Sequence, residues 1–338
     1  MSRDSEGLAD TTAPIAQWAR DAAARIGRSF RGRAEVVELA LVALLCRGHL
    51  LVEDRPGVGK TILARSLSRF IGGVFHQIQC TPDLLPADIL GVSIFDQASG
   101  SFRFRQGPIM ANCLLVDEIN RATPRTQSAL LEAMAEGQVS VESKTLRLPD
   151  PFFLIATQSP LESEGTFPLP EVQKDRFFLS LTIGYPSREN ELAIMRAPFD
   201  RETSGGGSET DPTEPPHGPG LAGIETIAAM QEAVTRIHVA DSLRDYIVEI
   251  VSRTRGEPRL AMGVSPRGSL ALYKGSQALA ALRGRDYVVP EDIKEIAGPV
   301  LSNRLLFKPE HVARGVTASA FVDELLSTVT VPGYEGLK

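Results

Sequence analysis

The segment Asp54-Arg55-Pro56-Gly57-Val58-Gly59-Lys60-Thr61 restricts the possible folds more than any other stretch of the chain. It follows a short apolar run, His49–Glu53 (HLLVE), and leads into residues with helical spacing, Thr61–Phe70. A strand that enters a glycine-bearing turn and leaves it as a helix is the context of a phosphate-binding loop. Gly57 and Gly59 let backbone N–H groups face phosphate oxygens, and the helix N-terminus adds partial positive charge. Lys60 would neutralise the β- and γ-phosphates, and Thr61 would offer a hydroxyl to Mg2+. Arg55, Pro56, Val58 and Ile62 complete the candidate binding segment. The generic pattern GxxxxGK[ST] opens on glycine where this chain has Asp54. The bland alternative is a solvated turn that happens to contain Gly-Lys-Thr.

Downstream, Cys113–Val116 is an apolar run entering Asp117 and Glu118. A buried strand of this kind delivers acids at its C-terminal edge. Asp117 would then hold the Mg2+ shell and Glu118 would polarise an attacking water. Alone the pattern is weak, because helix N-termini also favour acids. Beside the phosphate loop it is strong.

Other apolar runs, Val74–Gln79 and Pro151–Gln158, alternate with helical stretches such as 34–46. Short buried strands between helices indicate an α/β fold with a parallel sheet covered on both faces. Two stretches break the rhythm. Gln138–Leu148 and Val92–Arg105 alternate apolar and polar residues and read as β-hairpins, with Ser143-Lys144 and Ala98-Ser99-Gly100 at their turns. A tail up to about Thr12 reads as mobile, followed by an Ala-rich helix over 14–26. Residues 201–220 are nearly half Gly and Pro, the composition of a flexible linker or of a solvated insertion without function. Helical patterns follow over 224–237, 241–255, 266–283 and 290–306. The expected organisation is therefore a tail and leading helix over 1–25, an α/β core over 26–186, a linker over 187–222 and a helical domain over 223–338.

Net charge is −6, so no global basic field recommends nucleic acid as the main partner. Three cysteines without CxxC spacing, Cys46, Cys80 and Cys113, suggest a reducing compartment. The polar, acidic N-terminus lacks the order of a signal peptide, and the apolar run 36–46 is too short to span a bilayer. A cytoplasmic protein is expected.

Several longer motifs carry a resemblance. CTPDLLPADILG (80–91), GPIMANCLLVDEINRATPRTQSALLEAMAEGQVSV (107–141) and PFFLIATQSPLESEGTFPLPEVQKDRF (151–177) resemble the MoxR-type AAA+ ATPases. GVSPRGSLAL (263–272) and GRDYVVPEDI (284–293) extend the likeness into the helical part. The resemblance implies a P-loop AAA+ core with helix-two and pre-sensor-one hairpins, followed by an all-α lid. Asp commonly opens the phosphate loop in that family, which accommodates Asp54.

Family positions map onto this chain residue by residue. Ser159 occupies the sensor-one position, where the family usually has Asn; serine can also hydrogen-bond water or the γ-phosphate, with shorter reach. Its other reading is a strand-end turn residue. Arg176 matches the arginine finger, which would act on a neighbouring subunit's nucleotide; a surface salt bridge is the plain alternative. Arg267 matches sensor two. Ser265 and Pro266 suit N-cap and N1 of a helix, so the Arg267 charge opposes the helix dipole and calls for an anion or a nearby carboxylate. Gly32 and Arg33 fall at the adenine-side position, with Arg33 replacing the family's Gln.

The resemblance implies ATP and Mg2+ as ligands, a homo-oligomeric ring of six subunits, and chaperone-like action on partner proteins bearing von Willebrand factor A domains. Alternatives are a nucleic-acid motor, with Arg103 and Arg105 on a hairpin touching phosphates, or a metal-chelatase ATPase subunit. A non-hydrolysing scaffold is a third class, opposed by the presence of Glu118 and Arg176.

Overall fold

The computed structural model describes residues 4–97, 100–141, 144–159, 165–196 and 223–333. Two helices, α1 (Asp4–Ser29) and α2 (Ala34–Leu45), precede strand β1 (Leu50–Glu53). Helix α3 (Lys60–Ile71), strand β2 (Phe75–Gln79) and the short α4 (Pro86–Leu90) come next. A ribbon of β3 (Gly91–Asp96) and β4 (Ser101–Gln106) leads to β5 (Cys113–Asp117) and α5 (Pro124–Glu136). A second ribbon, β6 (Gln138–Val141) and β7 (Lys144–Arg147), precedes β8 (Phe153–Gln158). The core closes with α6 (Glu171–Lys174), β9 (Leu179–Leu181) and α7 (Arg188–Arg196).

Five strands form one sheet in the order β2-β5-β8-β1-β9, with every pairing parallel. Parallel strands need crossover connections, and helices supply them on both faces. Side-chain alternation therefore feeds two buried clusters rather than one. Leu50, Val52, Cys113, Leu115, Phe153 and Ile155 face α1, α2 and α3. Leu51, Leu114, Val116, Leu154 and Ala156 face α5. Burying an aliphatic side chain of this size contributes about 1.5–3 kcal/mol. All four C-terminal strand ends of β1, β2, β5 and β8 meet at one edge, where the phosphate loop begins.

The C-terminal part contains α8 (Ile224–Val234), α9 (Asp241–Arg255), strand β10 (Leu260–Met262), α10 (Pro266–Leu282) and α11 (Pro290–Leu301). Strand β11 (Leu306–Phe307), α12 (Pro309–Ala313) and α13 (Ala318–Thr328) complete it. The fold is an α/β core built on a parallel sheet, followed by a helical lid, as expected. Within the lid, β10 and β11 make a small antiparallel pair that the helical pattern concealed.

Two expectations change. The leading helix starts at Asp4 rather than near residue 14, with Pro14 inside it. Ile15, Trp18, Ala22 and Ile26 lie at helical spacing in the core, and a docked helix propagates at low cost per residue. The stretch 290–306 is not one helix. It ends at Leu301, turns through Ser302–Arg304, and becomes extended. The cause is Arg304, which is 5% exposed and turns inward to pair with Asp175 at 2.8 Å.

Both hairpins form, with Val92 opposite Arg105 and Val139 opposite Leu146, but Lys144, expected at the second turn, begins β7 and pairs with Val141. The expected turn residues Ala98, Ser99 and Ser143 and the Gly/Pro-rich segment 201–220 lie outside the described residues. Helix α1 packs on both α3 and α10, so it ties the helix after the phosphate loop to the lid. Trp18 meets Phe70 of α3 with ring centroids 5.3 Å apart.

Candidate nucleotide site

The phosphate loop leaves β1 at Asp54 and enters α3 at Lys60. Gly57 and Gly59 adopt φ of +83° and +96°, a region that costs side-chain-bearing residues about 1–2 kcal/mol or more. No neighbour lies within 4 Å of a Cβ at Gly57, so backbone conformation rather than space demands glycine there. The buried ring of Phe30 backs Gly59 at 3.7 Å from such a Cβ.

Lys60 Nζ donates to the carbonyl oxygens of Asp54 (2.5 Å) and Gln158 (3.2 Å). These bonds hold the ammonium across the mouth of the loop, between β1 and β8. Thr61 follows in the first turn of α3, half-buried.

Asp54 acts as a clamp within the candidate binding loop. Its carboxylate accepts from the backbone N–H of Arg55 (2.7 Å) and of Gly184 (2.6 Å), at 7% exposure. A carboxylate would repel a phosphate in any case. Here it ties the loop to the segment after β9. Arg33 is likewise engaged by backbone, donating to the carbonyls of Thr182 (2.6 Å) and Ile183 (3.3 Å). Its guanidinium ties α2's N-terminus to residues 182 and 183. Gly32 is a close-approach point, since a Cβ there would lie 2.1 Å from the Phe30 ring. Arg55 reaches over Tyr185, 5.7 Å from the ring centroid, and donates to its hydroxyl at 3.3 Å. Pro56 and Ile62 are exposed, while Val58 packs against the core.

The two acids stand at the end of β5. Buried Thr157 on β8 braces both: its hydroxyl donates to Asp117 Oδ1 and accepts from the Glu118 backbone N–H at 3.0 Å. Glu118 sits in the left-handed region at φ +54°, a conformation that costs about 1–3 kcal/mol and turns its side chain off the strand. Glu118 Oε2 accepts from Gln79 Nε2 and from Arg121 NH1, each at 3.0 Å. Beside them, Glu53 is bonded by Gln158 and by Ser180 Oγ at 3.1 Å. Burial, aided by the charges of Asp117 and Glu118, pushes the nearby Cys80 thiol up to about 12, so it is not a nucleophile here. Ser159 is 6% exposed and directly follows the residue whose carbonyl takes Lys60. Thr157, Gln79, Arg121 and Glu53 escaped the sequence reading.

The donor chemistry suits Mg2+. A threonine hydroxyl and one carboxylate are hard oxygen ligands, and such a metal completes its shell with phosphate oxygens and water. Among the described residues no three His, Cys, Asp or Glu side chains gather into a protein-only metal cage.

Arg176 and Arg267 lie elsewhere. Both line a cavity of about 310 Å3 together with Arg47, His49 and Met134. His49 precedes β1, whereas Lys60 follows it. Four residues at about 3.3 Å each put roughly 13 Å of strand between the two edges. The two arginines therefore stand at the opposite sheet edge from their own phosphate loop. Arg176 NH1 donates to the Leu131 carbonyl at 3.0 Å. Ser265 caps α10 by accepting from the Arg267 N–H at 3.2 Å, and Arg267 NH1 stands 3.9 Å from Asp175 Oδ2. At 59% exposure that ion pair is loose, so the carboxylate alternative is met only in part.

Residues 49–179 match the family model described as ATPase family associated with various cellular activities (AAA), and residues 252–325 match the AAA lid domain. The uncharacterised protein YeaC of Bacillus subtilis is 48% identical over 307 residues, covering 91% of this chain and 92% of that one. The chaperone MoxR1 of Mycobacterium tuberculosis is 39% identical over 316 residues, covering 91% of this chain and 80% of that one. The crystal structure of a candidate ATPase from Cytophaga hutchinsonii superposes with a TM-score of 0.85 at 31% identity, over 98% of this chain and 99% of its own. No helix among the described residues is long and apolar enough to cross a membrane.

Proposed function

Since the chain belongs to the MoxR family of AAA+ ATPases, we propose that it hydrolyses ATP at the junctions of a cytoplasmic ring, hexameric by family resemblance, and uses the cycle to remodel partner proteins. The observation that carries this reading is the separation of its functional groups to opposite sheet edges. Lys60, Thr61, Asp117 and Glu118 gather at one edge; Arg176 and Arg267 line a cavity at the other. A head-to-tail contact between copies brings the two halves together, and such a contact closes into a ring when its rotation permits.

In this scheme Lys60 and the loop amides bind the β- and γ-phosphates, while Thr61 and Asp117 hold Mg2+. The metal, when bound, neutralises charge on the phosphate oxygens. Glu118 accepts the proton of the attacking water. Gln79 and Arg121 occupy its Oε2, which orients the carboxylate. Ser159, next in sequence to the carbonyl that takes Lys60, bonds the water or the γ-phosphate. Arg176 and Arg267 of the adjacent subunit meet the charge that develops on the transferred group, and a trans arginine supplies roughly 10³–10⁵ in rate. The ring moves only as far as closed and open interfaces differ in affinity for nucleotide.

Action on protein partners is supported by the chaperone name of the Mycobacterium relative. A von Willebrand factor A-domain partner follows from family resemblance alone. The net charge of −6 weighs against a nucleic-acid motor. Subunit mixing tests the scheme. Lys60→Ala and Arg176→Ala rings should each be inactive, and mixed rings should regain turnover at junctions that pair an intact loop with an intact arginine. Failure of every mixing ratio, with assembly verified, would refute the shared site.

A further inference from the structure

The cavity that holds Arg176 and Arg267 is also lined by Lys274, a cation to which neither motif nor family position draws attention. Lys274 lies two helical turns beyond Arg267 on α10, about 10 Å along the axis. Positions seven apart share a helix face, and Leu270, 59% exposed, lies between them on the same cavity wall.

The charges of this wall do not cancel internally. Its one carboxylate, Asp175, is claimed by buried Arg304 at 2.8 Å and by the Ser265 hydroxyl at 3.0 Å. Arg304 directs its remaining N–H groups to Asn303 Oδ1 (3.1 Å) and to backbone carbonyls, including those of Phe177 (2.6 Å) and Phe178 (3.1 Å). Arg47 pairs with Asp150 at 2.8 Å. That leaves Arg176 on a carbonyl, Arg267 on a loose 3.9 Å contact, and Lys274 with no acidic side chain within 4.0 Å among the described residues. Three cations converging on one concave wall repel one another unless an anion joins them. The phosphate-loop edge of a second copy is the complementary surface, since it presents Glu53, Asp117 and Glu118 beside the loop that would hold a triphosphate.

We infer that Lys274 is a third cation of the inter-subunit nucleotide site, binding the triphosphate held on the neighbouring copy's phosphate loop. The inference rests on the shared-site reading above. An ammonium is a point charge that attracts the triphosphate before and during reaction alike, so its contribution falls on ground-state binding. Removing it should raise KM for ATP with little change in kcat, in contrast to the kcat loss that removal of Arg176 brings.

The test measures steady-state phosphate release by the full-length protein. Lys274→Ala and Lys274→Gln should raise KM at least about fivefold and leave kcat within about twofold, while Lys274→Arg restores KM. Mixing Lys274→Ala with Lys60→Ala should then yield a component with wild-type KM, because the Lys60→Ala subunit offers an intact Lys274 to its neighbour's intact loop. An unchanged KM in both neutral variants overturns the assignment. A raised KM that mixing never restores, while Lys60→Ala with Arg176→Ala does regain turnover, overturns the trans placement of Lys274 alone. If that control mixture also stays inactive, the shared site itself is refuted.

Discussion

Replacing Thr157 by valine should cripple turnover while leaving nucleotide binding nearly intact. Thr157 has no exposed surface, and its single hydroxyl serves two partners, Asp117 Oδ1 and the Glu118 backbone N–H. Valine matches its shape but offers neither donor nor acceptor. The bond to a carboxylate is worth about 1.5–3 kcal/mol, and a buried N–H left without acceptor costs about 1–3 kcal/mol. Stability should thus fall by about 2.5–6 kcal/mol. The catalytic consequence is separate from this stability cost, because Glu118 occupies a left-handed conformation at φ +54° that its surroundings must enforce. Without the hydroxyl the peptide can relax, and a displacement of about 1 Å costs about 10²-fold in rate. Phosphate release should therefore drop about a hundredfold in kcat, with the dissociation constant for ATP changing less than about threefold by calorimetry. Thr157→Ser, which keeps the hydroxyl, should lose far less. A folded Thr157→Val protein that turns over ATP at the wild-type rate would refute the brace.

Three further outcomes follow from the same geometry. If Asp54 acted by charge alone, Asp54→Asn would tighten ATP binding by removing a repulsion; as a clamp on the Arg55 and Gly184 N–H groups it should instead weaken binding about tenfold, measured by calorimetry. Burial pulls His49 down to about 4 from an ordinary 6.5, despite its bond to the Met134 carbonyl. Its folded value lies below its unfolded one, so its stabilisation is complete above pH 6.5 and declines as pH falls towards 4, by roughly 3 kcal/mol in all. Urea midpoints across that window should show the decline, and a His49→Asn variant should flatten it. Arg304→Met leaves Asp175 without its buried partner and should cost about 3–5 kcal/mol, of which Asp175→Asn in the same chain recovers part; equal stability of the single and double variants would count against the pair.

Local pattern made much of this molecule legible. A strand, a glycine turn and a helix share one short segment, so the phosphate loop announces itself, and the apolar run before Asp117 does the same for the acids. Both hairpins could be read because alternation with period two is a local property. Another local signal went unused: β1, β2, β5 and β8 each end on a polar residue, Glu53, Gln79, Asp117 and Gln158, at the edge where a parallel sheet places its site. Thr157 was hidden because a β-branched residue inside an apolar run reads as an ordinary strand position. The contacts of Asp54 with Gly184 and of Arg33 with the Thr182 and Ile183 carbonyls stay hidden because these partners lie far along the chain. No spacing rule encodes such contacts. The inward turn of Arg304, which ends α11 early, is of the same kind: its acid, Asp175, belongs to the other domain.

The most direct measurement pairs calorimetry with phosphate release for three proteins: wild type, Lys60→Ala and Glu118→Gln, each with Mg2+ and ATP. The wild type should bind and hydrolyse, Lys60→Ala should lose binding, and Glu118→Gln should bind tightly without releasing phosphate. Wild-type turnover by Glu118→Gln, or full affinity in Lys60→Ala, would contradict the assignment of these two side chains to base and phosphate cradle.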